Sequence, residues 1–168
     1  MRYVLDADVL VHLQRAGIAS AVVALGPLPV VLTDLIWHEF VVAPQSAGAS
    51  PRTVAEARTL AQTMVGQATV ILSGSPEAAI LAALLRPPVT EDSGELSVIA
   101  YAACHDDAIA VLFDRKALHR GVEELRGRVL SVHGFLEVLE RHGLSRANSD
   151  LVSQRLRRQY AFREPHWW

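Results

Sequence analysis

The chain has one cysteine, Cys104, one lysine, Lys116, and no apolar run long enough to cross a bilayer. A lone thiol excludes an internal disulfide and is consistent with a reducing compartment. The most apolar stretch, 18–31, is short and is interrupted by Gly26, Pro27 and Pro29, which argues against membrane insertion. The opening Arg2-Tyr3-Val4-Leu5 is strand-like and runs into Asp6, unlike a secretory leader, so a cytoplasmic location is expected. The glycines form neither a phosphate-binding loop nor a dinucleotide fingerprint, which removes the common nucleotide cradles. Histidines 12, 38, 105, 119, 133, 142 and 166 show no zinc-like pairing and are taken as surface or polar-core residues. No Ser-His-Asp arrangement emerges from the spacing.

What is present is an ordinary globular composition. The 168 residues are 51% hydrophobic and 20% charged, enough for one domain with a real core. The net charge of −2 does not by itself advertise a polyanion binder. The positive charge is unevenly placed: Arg155, Arg157, Arg158 and Arg163 alternate near the end with Tyr160, Phe162, Trp167 and Trp168. Such a tail can stack on bases and bind phosphates, or pack on the domain or a second copy.

No repeat, low-complexity tract or dividing linker is evident; the segment 44–51 is a loop candidate. Short β-branched runs at 3–5, 30–32, 69–72, 109–113 and 128–130 predict strands. Helical patterns cover 8–16, 34–42, 51–65, 76–85, 94–105 and 133–142. Strands that alternate with helices and are apolar on both sides of the pleat predict a mostly parallel sheet covered on both faces. The expected fold is a three-layer α/β/α sandwich around a five-stranded sheet. The chain divides into a domain over 1–145 and a C-terminal helical, Arg- and aromatic-rich extension of it over 146–168.

In such folds ligands bind beyond the carboxyl ends of the strands. Four acids fall there: Asp6 ends the first strand, Glu39 lies one turn into the helix after the second, Glu95 opens the helix at 94, and Asp114 ends the fourth strand. Asp8 is a secondary candidate. Clustered carboxylates repel each other, and a hard cation such as Mg²⁺ or Mn²⁺ relieves that repulsion through oxygen ligands. A bland alternative exists for each acid. Asp8 and Asp114 suit helix caps, Asp92-Ser93-Gly94-Glu95 suits a capping box, and Glu39 suits a solvated helix face.

The segments Tyr3 to Leu10, Glu39 in the second helix, Gly94 to Ala102, and Val111 to Ala117 together resemble, in order and spacing, the motifs of PIN domains. The resemblance spans nearly the whole chain. It implies RNA hydrolysis with Mg²⁺ or Mn²⁺ held by Asp6, Glu39, Glu95 and Asp114. Many small stand-alone relatives in that family are toxins of VapC-type toxin-antitoxin pairs, so an antitoxin partner is expected with an RNA substrate. This chain departs from the commoner pattern by having Glu at 95 where Asp is usual, and Asp8 where a small hydroxyl or amide residue is frequent. Arg115 and Lys116 stand where they can hold phosphate near the metal. Pairing of small members suggests a homodimer, with Val22, Val23 and Leu25 as a candidate face. Two other readings stay open: a non-catalytic PIN module that binds RNA or a partner protein, and a haloacid-dehalogenase-like phosphatase. The phosphatase reading is weakened because the only lysine follows Asp114 instead of preceding it.

Overall fold

A computed structural model of the chain describes residues 1–19, 30–43, 50–63, 68–69, 74–85 and 93–160. The segments holding Val22, Val23 and Leu25, Asp92, and Phe162 to Trp168 lie outside the described residues. The fold is mixed α/β, and the strands among the described residues pair in parallel. Strand β1 (Arg2–Leu5) runs at the centre, with β2 (Val30–Thr33) on one side and β4 (Ala108–Leu112) on the other. Strand β5 (Val129–Ser131) extends the sheet beyond β4. Of the strand expected at 69–72, residues 70–72 lie outside the described set; the two-residue β3 (Ala68–Thr69) pairs with Leu32 and Thr33 at the other margin. The spatial order is β3-β2-β1-β4-β5. The chain thus travels outward from β1 through β2, then returns to the opposite side of β1 as β4.

Helices begin where strands stop, because the last strand residue or one of the next two is a good cap. Asp6 caps α1 (Ala7–Arg15), Thr33 caps α2 (Asp34–Trp37), Asp114 caps α6 (Arg115–Leu125) and Ser131 caps α7 (Val132–Arg141). In each case a side-chain oxygen accepts from an otherwise unpaired amide of the first turn. Away from the strand ends, Ser75 caps α4 (Pro76–Leu84), with Pro at the tolerated first position. The remaining helices are α3 (Pro51–Thr63), α5 (Ser93–Cys104) and α8 (Arg146–Tyr160). The expected helix over 34–42 is regular only to Trp37; His38–Val42 continues it as a π-helical turn.

Helices pack on both sides of β1. Along β1 alternate side chains go to opposite sides: Arg2 reaches Tyr101 on α5, whereas the Tyr3 ring lies 5.4 Å from that of Phe135 on α7. Helix α5 packs on β1, β2 and β4, and α8 packs on α7 and α1. Helix α5 is buried nearly all round, from Leu96 through Ala102, which explains its lack of a polar stripe. No helix among the described residues is long and apolar enough to cross a membrane.

Candidate acidic site at the strand ends

The point where the strand order reverses lies between β1 and β4, and in open parallel sheets the crevice at that point is where ligands bind. Asp6 stands at its lip. It follows β1, its amide donates to Val111 O at 2.9 Å, and its side chain is only 3% exposed. One carboxylate oxygen accepts from the Ala7 amide at 2.6 Å; the other accepts from the Phe113 amide at 3.4 Å. These two amides favour the anion. Burial opposes it more strongly, and the charges of Glu95 and Asp8 add to the opposition, so the Asp6 pKa is pushed well above the ordinary 3.8.

The expected site residues are placed as follows. Asp8 is exposed in the first turn of α1, and Glu95 is half-buried in the first turn of α5; both act electrostatically on Asp6. Asp114 directly follows the Phe113 amide that bonds Asp6, so the two acids sit on neighbouring strand ends. Its carboxylate is turned back on its own helix and accepts from Lys116 N at 2.7 Å and Ala117 N at 3.4 Å. Glu39 is exposed on the π-helical turn. The helix before it packs on α5, but Glu39 is not among the main charges acting on Asp6. Arg115 and Lys116 are exposed in the first turn of α6, next to Asp114. The cap anticipated at Asp8 belongs instead to Asp6, while that anticipated at Asp114 is present.

Among the described residues no three His, Cys, Asp or Glu side chains are gathered to hold one ion. Both Asp6 oxygens accept backbone amides, and one Asp114 oxygen accepts from the first turn of its own helix. A Mg-like ion commonly keeps several waters and takes only one or two carboxylates. The all-oxygen donor set, and a buried Asp6 burdened by two like charges, therefore fit such an ion in chemistry.

Sequence reasoning missed two buried hydroxyls beside this crevice. Thr33, at the end of β2, and Ser97, in α5, are both 0% exposed, and their oxygens are 2.6 Å apart. The one available signal is a hydroxyl residue standing between the β-branched run at 30–32 and the helical pattern at 34–42. Of the histidines taken as surface or polar-core residues, His12 is a core one: it is 1% exposed, with its ring 5.0 Å from that of Phe113. Burial first, then the positive charge of Arg155 and of Arg15, lowers the His12 pKa from 6.5 to about 4, so the ring is neutral at pH 7.

No family model matches the chain, and searches of curated proteins and of solved structures find no match either.

Proposed function

We propose that the chain is a Mg²⁺- or Mn²⁺-dependent endoribonuclease of PIN type, a three-layer α/β/α sandwich over 1–145 with 146–168 as its extension. The observation that carries this reading is Asp6: a buried carboxyl at the reversal point of a parallel sheet, crowded by Glu95 and Asp8. A fold keeps such a repulsive arrangement at a cost to stability, and binding of a cation supplies the reason to keep it. When bound, the ion supplies an acidified water and neutralises charge on a phosphoryl group. Asp6 and Glu95 hold and orient it, with Asp114 and Glu39 completing the set once their side chains turn inward, and Asp8 as a secondary contributor. Arg115 and Lys116, exposed at the start of α6, grip the phosphate backbone of single-stranded RNA. A role as the toxin of a toxin-antitoxin pair accords with a small chain of this kind.

A second reading, a non-catalytic module that binds RNA or a protein, is favoured by the capping engagement of Asp6 and Asp114. One experiment separates the two. Purified protein is incubated with a mixed panel of single-stranded RNAs and Mn²⁺, with EDTA, and as Asp6→Asn. Cleavage that vanishes with EDTA and falls roughly 100-fold or more in the variant supports the nuclease. RNA retention without cleavage by the unaltered protein supports the binding module.

A further inference from the structure

Thr33 and Ser97 lie 64 positions apart in sequence and meet at 2.6 Å in a fully dry setting. Their hydrogen atoms can be assigned by counting. The Ser97 hydroxyl donates to the Gly94 carbonyl at 2.6 Å, so its single hydrogen is used. The hydrogen between the two oxygens must then come from Thr33, whose own oxygen accepts from the Ile36 amide at 3.3 Å. The result is one directional chain, from the Ile36 amide through Thr33 and Ser97 to the Gly94 carbonyl. Its two ends are informative. The Gly94 carbonyl belongs to the peptide that leads into Glu95, and the Ile36 amide opens the helix that leads to Glu39.

An apolar pair would fill the same space without the cost of burying two hydroxyls. What hydroxyls add is direction, fixing the rotation and height of the first turn of α5 against the end of β2. Groups that orient a charged ligand through the backbone behind it set how well that ligand performs.

We propose that Thr33 and Ser97 are positioning residues for the acidic site, holding Glu95 at the distance from Asp6 that a shared cation requires. This rests on the metal-dependent reading above. Ser131 offers a matched control, because it too caps a helix at a strand end, through Gly134 N at 3.2 Å, but on β5 and away from α5.

The test is Mn²⁺ titration by calorimetry on the intact protein and on Thr33→Val, Thr33→Ser, Ser97→Ala and Ser131→Ala, with melting temperatures and single-stranded RNA cleavage in parallel. Thr33→Val and Ser97→Ala should weaken Mn²⁺ binding about 10- to 100-fold and lower kcat with little change in KM. Thr33→Ser should restore both, and Ser131→Ala should lower only the melting temperature. If Thr33→Val does not fold, the Ser97→Ala and Thr33→Ser pair decides. Unchanged Mn²⁺ binding in Ser97→Ala beside a lowered melting temperature overturns the positioning role and leaves the nuclease reading intact. Absence of Mn²⁺ binding by the unaltered protein overturns both.

Discussion

Asp6 and Phe113 are joined across the ends of two neighbouring parallel strands: the Phe113 amide donates to the Asp6 carboxylate at 3.4 Å, one residue before Asp114. The acid that closes β1 is thus tied to the turn that carries the acid after β4, and the reversal point of the sheet becomes an electrostatic focus.

This relationship predicts an unusual pH dependence. The Asp6 pKa is raised in the folded chain, so between its unfolded and folded values the native state binds more protons than the unfolded one. Stability contributed by Asp6 is therefore lost as pH rises above the ordinary carboxylate range. Asp6→Asn should melt higher than the unaltered protein in EDTA, with a difference that grows with pH and then levels off. Parallel melting curves at a series of pH values measure this; a pH-independent difference would contradict the electrostatic account.

His12 responds in the opposite sense. Its pKa is lowered to about 4, so the unfolded chain takes up a proton first as pH falls below 6.5, and stability declines from there toward 4. NMR of the ring protons should show a midpoint near 4. Arg155→Gln removes a nearby positive charge and should move that midpoint upward; a midpoint near 6.5 in the unaltered protein would show that the ring is solvated.

Gly121 tests the packing of α6 on the sheet. A Cβ there would lie 2.9 Å from Val129 Cγ2 and 3.1 Å from Leu112 Cδ1. Alanine normally gains about 1 kcal/mol over glycine inside a helix. Forcing a methyl into a filled core costs about 1–3 kcal/mol. Gly121→Ala should therefore be destabilising on balance, by up to about 2 kcal/mol in urea denaturation, and a stabilised variant would mean the helix can lift away freely.

Arg128 is a structural counterpart. One of its terminal nitrogens lies 2.6, 2.9 and 2.9 Å from the carbonyls of Ala102, His105 and Ala108, its two hydrogens shared among them, closing the passage from α5 into β4. Arg128→Met keeps the stem and strands the carbonyls, at an expected cost of about 1–3 kcal/mol by denaturant unfolding. A silent substitution would show that water replaces the guanidinium without loss.

Much of this layout was legible from local pattern. Strand and helix limits along Arg2–Leu5, Val30–Thr33 and Ala108–Leu112 follow from β-branched runs that meet a capping residue, and they fall within about a residue or two of the expected ones. Asp6 and Asp114 were visible for the same reason. Other features depend on contacts that no window of sequence contains. Whether Asp6 or Asp8 caps α1 is decided by backbone angles at the joint. The π-helical turn at His38–Val42 arises in a stretch with ordinary helical periodicity. The engagement of Thr33 with Ser97 requires β2 and α5 to be already packed, and the inward or outward aim of the Asp114 carboxylate is a rotamer choice that residue type does not fix.

The opposite rim of the sheet is built differently. Arg2 grips Asp107 through two nitrogens, at 2.9 and 2.6 Å, and reaches the Tyr101 hydroxyl at 2.8 Å; the Tyr101 ring lies on His105, which meets Glu77 at 2.8 Å. That clasp binds the beginnings of β1 and β4 to α5 and α4. Anchored at the tail end, the central strands have little liberty to splay when their acidic tips push apart, so the mutual repulsion is confined to the crevice, where a counter-charge can answer it.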